Sequence, residues 1–194
     1  MTVDPLACAG FLMAAFVLAG LVHTLWLRSP ISRPLAVPID GGVTFRGQRL
    51  LGENKTLRGF AVIVPAAGAA FAGLGWALGA SGTARVSGLW ALGPAEYGLL
   101  GLAAGFGFMV GELPNSFVKR RLGIAPGTVP RGRLPRIACL AADRLDSILG
   151  MLATVSLVVP TPWLVWAYVL TIGPMIHLGF SALLFAVGVK ARAA

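Results

Sequence analysis

The sequence predicts an all-α integral membrane protein of about five transmembrane helices, and three observations carry that expectation. Of 194 residues, 57% are hydrophobic and only 12% are charged, about half the charged share of a soluble domain. So few charges cannot coat a globular surface, and lipid has to cover it. Five apolar stretches each approach the ~20 residues a helix needs to cross the hydrocarbon core. The basic residues, finally, crowd into alternate loops.

The five stretches are residues 5–27, 60–80, 95–111, 137–159 and 163–189. Pro5 suits the first turn of a helix. The third stretch is short at its C-terminal end, and the fourth is interrupted by Asp143, Arg144 and Asp146. Pro160-Thr161-Pro162 separates the fourth from the fifth and permits a tight reversal. Small residues four apart (Gly75 and Gly79, Gly101 and Gly105, Gly107 and Gly111) mark helix faces that approach closely.

The loops fix the expected sidedness. Arg28, Arg33, Arg46, Arg49, Lys55 and Arg58 lie between the first two stretches, and Lys119, Arg120, Arg121, Arg131, Arg133 and Arg136 between the third and fourth. Lys190 and Arg192 follow the fifth, whereas Arg85 alone falls on the other face. The positive-inside rule makes the crowded face cytoplasmic. The N-terminus is then outside and the C-terminus inside. Residues 1–194 form one transmembrane domain with two long cytoplasmic loops, 28–59 and 112–136, in the cell membrane. Gly41-Gly42 and Gly52 mark turns in the first loop, and Pro30 and Pro34 a bend at its start.

Other classes are set aside. The net charge of +9 raises nucleic acid as a partner, but lipid headgroups and topology account for basic residues so placed. Cys8 and Cys139 open different spans, with no Cys-x-x-Cys or Cys/His ligand spacing, and read as small buried apolar residues. Met1-Thr2-Val3-Asp4 lacks the basic start of a cleaved signal, so the first stretch is expected to stay. His23 and His177 lie in apolar spans and read as hydrogen-bonded interhelical residues. A homodimer is compatible with the sequence.

Chemistry concentrates near the cytoplasmic boundary. In Asp143-Arg144-Leu145-Asp146-Ser147 the two carboxylates are three apart and share a helix face. Two negative charges at that depth repel each other and are costly without compensation. A divalent ion removes both penalties, and magnesium fits, because it takes one or two carboxylates and completes its shell with phosphate oxygens and water. The alternative is a structural ion pair with Arg144. Glu112 ends the third span, and Pro114 either stops that helix or opens another. A helix opening there makes an anion site of the amides around Asn115 and Ser116, with Lys119, Arg120 and Arg121 one turn on. Lys55-Thr56 lacks the glycine and the strand of a P-loop, yet its neighbourhood is rich in donors.

Three stretches together resemble the CDP-archaeol synthase family, small membrane cytidylyltransferases related to CDP-diacylglycerol synthase. They are Pro38-Ile39-Asp40-Gly41-Gly42 running on to Gly52-Glu53-Asn54-Lys55-Thr56-Leu57-Arg58-Gly59-Phe60, then Gly111-Glu112 with the run from Asn115 to Ile124, then Asp143-Arg144-Leu145-Asp146-Ser147. His177-Leu178 and Gly188-Val189-Lys190 form a weaker tail. The resemblance implies that CTP and a membrane lipid phosphate give CDP-lipid and pyrophosphate with Mg2+. It implies Asp143 and Asp146 as metal ligands, with Lys119 and Arg120 on the triphosphate and Asn54, Lys55, Thr56 and Arg58 lining the polar pocket. The expected catalytic set is therefore Asp143, Asp146 and Lys119, and the metal set Asp143, Asp146 and Glu112. Asn115, Ser116, Arg121 and Arg144 complete the substrate-binding set. Glu112 stands where the family has aspartate, Ser181 where it has asparagine, and residues 125–142 match neither branch. Two other functions compete: a catalytically weakened relative that binds phospholipid or nucleotide as a membrane partner, and a small lipid transporter.

Overall fold

The computed structural model describes residues 3–80 and 88–188. Five long helices form the bundle: α1 (Pro5–Arg28), α2 (Leu57–Ala80), α3 (Pro94–Arg121), α4 (Arg133–Val158) and α5 (Trp163–Ala186). Asp4 caps α1 by accepting from the amides of Leu6 at 2.8 Å and Ala7 at 3.3 Å, which satisfies donors that a helix start leaves open. Ser29 ends α1 and begins a 3-10 turn over Pro30–Leu35, the bend expected there. Arg85, Lys190 and Arg192 lie outside the described residues.

Helices α1, α2, α3 and α5 are each long and apolar enough to cross a membrane. The fourth expected span, on α4, does not reach that measure, because Arg133, Arg136, Asp143, Arg144 and Asp146 fill its first half. Outward-facing Leu25, Leu99, Leu157 and Trp163 are exposed, as lipid-facing side chains are in a bundle with no water at its sides. Inside, Phe11 of α1 meets Phe71 of α2 edge-on at 5.2 Å, beside the buried Leu100, Leu152 and Val165. Cys8 and Cys139 are free and buried.

Pro114 neither stops a helix nor starts one. Helix α3 runs through it to Arg121, so the segment between α3 and α4 is 122–132, shorter than the 112–136 loop expected. The anion site at a helix start near Asn115 is therefore absent, since those amides lie within a continuing helix. A proline removes one intrahelical bond, and the close packing on both sides of α3 outweighs that loss.

The packing is a matter of glycines. A Cβ on Gly101 would stand 2.8 Å from Phe71 Cβ, and one on Gly105 would stand 3.0 Å from Val64 Cα, so α3 lies backbone-close on α2. On its other side, a Cβ on Gly111 would stand 3.0 Å from Gly150 Cα. Gly75 likewise accommodates Tyr97, whereas Gly79 faces open space and packs nothing. Helices that meet without intervening side chains gain dispersion contact along their whole crossing.

Among the described residues, the long excursion between α1 and α2 holds the one sheet, of two strands. Strands β1 (Thr44–Phe45) and β2 (Gln48–Arg49) pair antiparallel, Thr44 with Arg49 and Phe45 with Gln48. Arg46 and Gly47 between them both have positive φ, 53° and 74°, the backbone of a two-residue hairpin turn. Pro38 and Thr56 bridge at the neck of the excursion.

Candidate active site

Three elements bring polar side chains to the loop-rich end of the bundle. The Gly111–Gly150 crossing sets the stretch around Glu112–Arg120 of α3 beside the stretch around Asp143–Ser147 of α4. The excursion returns between them with Asn54, Lys55 and Thr56. Together they wall a cavity of about 800 Å3. Among the expected site residues, Asn54, Lys55, Thr56, Arg58, Glu112, Ser116, Lys119, Arg120, Asp143, Arg144 and Asp146 all line it. Its other half is apolar, with Leu12 and Phe16 of α1 facing Val169, Phe180 and Leu184 of α5.

At the centre, the Asn115 side-chain amide donates to Asp143 Oδ1 and to Asp146 Oδ2, each at 2.7 Å. One nitrogen thus spans both carboxylates. Lys119 Nζ donates to Asp143, and the backbone amide of Ser147 donates to Asp146 Oδ1 at 2.7 Å. Lys55 Nζ donates to Glu112, whose other oxygen accepts from Ser147 Oγ at 2.9 Å. Arg144 Nη1 approaches Ser181 Oγ of α5 at 3.4 Å. Asp143 thus accepts from Asn115 and Lys119 and Glu112 from Lys55 and Ser147, whereas Asp146 accepts from the neutral donors Asn115 and Ser147.

Three of the expected site residues are engaged by the protein itself. Asn115, expected in the substrate-binding set, is not among the residues that line the cavity and donates to both Asp143 and Asp146. Glu112, expected as a third metal ligand, accepts from Lys55 and Ser147, and no group of three or more His, Cys, Asp or Glu side chains is disposed to hold a metal among the described residues. Arg121 does not face the cavity. Its guanidinium donates to the carbonyls of Phe45, Gln48 (3.2 Å) and Arg49 (2.7 Å) in the hairpin and lies 5.3 Å and 5.1 Å from the ring centroids of Phe45 and Phe117.

Arg120 behaves differently from its neighbour. It is only 7% exposed, and its Nε and Nη1 have no hydrogen-bond partner among the described residues. A buried guanidinium with open N–H groups is costly, and an anion taken into the cavity would offset that cost. One magnesium ion requires no more than one or two carboxylates when phosphate and water complete its shell, and Asp143 and Asp146 are the side chains here that would hold one.

Outside the membrane-spanning helices, Asp40 organises the excursion. Its side chain is fully buried and accepts from Arg49, from the amides of Leu51 and Gly52 (both 3.1 Å) and from that of Gly42 (3.2 Å). Burial pushes its carboxyl up, but the Arg49 hydrogen bond and the three amides outweigh burial and hold it well below the usual carboxylate range. Neither this role nor that of Ser147 is legible in the sequence, because the partners of Asp40 extend to Gly52 and that of Ser147 is Glu112, 35 residues earlier. His23 and His177, read as interhelical, both line the cavity.

Apolar helices around a cavity lined by charged side chains at one end and by apolar ones at the other define a multi-pass membrane protein with a polar site. The family model for CDP-archaeol synthase (CarS-like) matches residues 34–193. The CDP-archaeol synthase of Halobacterium salinarum is 38% identical over 161 residues, which cover 79% of this chain and 81% of that one. That of Archaeoglobus fulgidus is 33% identical over 184 residues, 88% of this chain and 96% of the relative. A solved structure of an intramembrane enzyme for archaeal membrane lipids biosynthesis superposes with a TM-score of 0.57 at 27% identity, covering 85% of this chain and 89% of that one. This chain belongs to the CDP-archaeol synthase family.

Proposed function

We propose that the chain transfers the cytidylyl group of CTP to a membrane lipid phosphate, releasing pyrophosphate. The observation that carries this reading is the carboxylate pair spanned by Asn115, facing Lys119 and Arg120 in a cavity whose far wall is apolar. An oxygen of the lipid phosphate attacks the α-phosphorus of CTP. The new P–O bond forms as the bond from the α-phosphorus to the oxygen bridging to the β-phosphorus breaks, and pyrophosphate departs with that oxygen. The nucleophile is already an anion, so no base has to activate it. The barrier is mutual repulsion and orientation, and catalysis is positioning with charge stabilisation.

Each side chain has a role in that step. Arg120 and Lys119 take the triphosphate, Lys119 leaving Asp143 as the substrate's negative charge arrives. Asn54, Lys55, Thr56, Arg58 and Ser116 complete the polar wall, and Arg144 lies beside the lipid phosphate. Asp143 and Asp146 would hold Mg2+, which when bound neutralises charge on the phosphates. The apolar half between α1 and α5 takes the hydrocarbon of the lipid. Aqueous CTP reaches this cavity only if the loop-rich end is cytoplasmic. That orientation, with α4 as a fifth crossing and the N-terminus outside, agrees with the positive-inside rule.

The test is pyrophosphate release by the protein in detergent with CTP, Mg2+ and a panel of ether- and ester-linked lipid phosphates. Wild type is expected to turn over at least one of them. Asp143→Asn and Asp146→Asn are expected to lose turnover by at least about 100-fold while unfolding at a similar temperature. Folded wild-type protein that releases no pyrophosphate with any lipid would sink the reading.

A further inference from the structure

The excursion at 38–56 is a separate structural unit held at three levels. At its neck, Pro38 and Thr56 bridge, and the amides of Ile39 and Leu57 donate to the carbonyls of Lys55 at 2.8 Å and Val37 at 2.9 Å. At its waist, buried Asp40 gathers Gly42, Leu51, Gly52 and Arg49. At its tip, Arg121 is bound to three carbonyls. The first two levels are internal to the excursion. Among the described residues, the third joins the tip by hydrogen bonds to another element, and that element is α3, which also carries Glu112, Ser116, Lys119 and Arg120.

We propose that Arg121 is a positioning residue that ties the hairpin tip to α3 and so fixes where the excursion places Asn54 and Lys55 over the cavity. The inference rests on the cytidylyl-transfer reading above. The geometry gives the connection: a Cβ on Gly52 would lie 3.2 Å from Pro126 Cγ, 3.3 Å from Asn54 Oδ1 and 3.7 Å from Arg120 Cδ, so the segment leaving the clamped hairpin passes beside the aliphatic part of the Arg120 side chain. Lys55 lies three residues on and pairs with Glu112 of α3. A hairpin free at its tip would pivot about the neck and carry this edge of the cavity with it. The planar fork of Arg121 donates to carbonyls of both strands while it stacks on Phe45 and Phe117; an ammonium has neither the fork nor the flat face.

The experiment compares wild type, Arg121→Lys and Arg121→Ala by two readouts. Amide hydrogen exchange over 43–52 reports the clamp, and steady-state kinetics with CTP reports positioning. Arg121→Ala is expected to raise exchange at Leu50, whose amide donates to the Val43 carbonyl across the hairpin, by at least about tenfold. It is also expected to raise KM for CTP by about tenfold with kcat changed by less than about threefold. Arg121→Lys should fall between wild type and Arg121→Ala on both. Unchanged exchange in Arg121→Ala overturns the clamp. Raised exchange with unchanged KM overturns the positioning role and leaves the contact merely structural. Should wild type show no transfer activity at all, the proposed reaction fails, and CTP binding by the same three proteins still decides this inference: equal affinities overturn it.

Discussion

Gly111 of α3 and Gly150 of α4 lie so close that a Cβ on either would meet the other's backbone, 3.0 Å from Gly150 Cα in one direction and 2.7 Å from Gly111 Cα in the other. The crossing is one residue from Glu112 and four from Asp146, so the distance between these two helices is also the distance across the site. Gly111→Ala is expected to cost about 1–3 kcal/mol, the range for overpacking a tight interior. It should also depress activity in the molecules that remain folded. Gly79→Ala, which meets nothing within 4 Å, is the control and should leave the unfolding temperature within experimental scatter. Equal effects of the two changes in thermal unfolding would show that the crossing is not tight.

Asn115 donates through one nitrogen to both Asp143 and Asp146. Asn115→Leu keeps the volume and removes the shared donor. Supporting hydrogen bonds of this kind are worth about 10- to 100-fold in metal affinity or activity. The expected result is a loss in that range in kcat, with a higher magnesium concentration for half-maximal rate and near-normal unfolding. A magnesium titration that superimposes on that of wild type would remove Asn115 from the site.

Arg120 sets stability against function. With Nε and Nη1 buried and unpartnered among the described residues, Arg120→Met exchanges a poorly satisfied cation for an apolar side chain of similar length. The substrate-free protein is expected to gain about 1 kcal/mol, read as a higher unfolding temperature. KM for CTP should rise more than about tenfold, since a charge-assisted contact to phosphate is lost. A variant that is less stable and binds CTP normally would contradict both halves.

Asp40 has a folded-state pKa below that of the unfolded chain. Its contribution is therefore fully present above the ordinary carboxylate value of about 3.9 and is lost only as pH falls through that value and beyond. Exchange protection of the Leu51 and Gly52 amides should hold constant from pH 8 to pH 5. Asp40→Ala should remove it at every pH, at a cost of about 2–4 kcal/mol to the excursion. Protection that fades between pH 7 and pH 5 in wild type would mean that the carboxyl is not held down by its partners.

Five helices and the residue types of the site are legible in the sequence, whereas the C-terminal end of α3 lies ten residues beyond the apolar run at 95–111. Hydrophobic length alone locates α1, α2 and α5, because a bilayer demands a run of that length whatever else the protein does. Most of the expected polar set does line one cavity, because ionisable groups at membrane depth are too costly to be placed without a shared purpose.

What only the tertiary structure decided is which of those polar residues face the cavity and which serve one another. Asn115, Glu112 and Arg121 each carry a side chain suited to a ligand, and each is occupied by a protein partner instead. Nothing in the local pattern distinguishes Arg120 from Arg121, since adjacent positions on a helix point about 100° apart and the hairpin that captures Arg121 lies more than 70 residues earlier in the chain. Pro114 passes through an unbroken helix for the same reason: contacts from α2 and α4 outweigh a local preference. Long-range packing chooses among locally equivalent donors, and no window of sequence contains that choice.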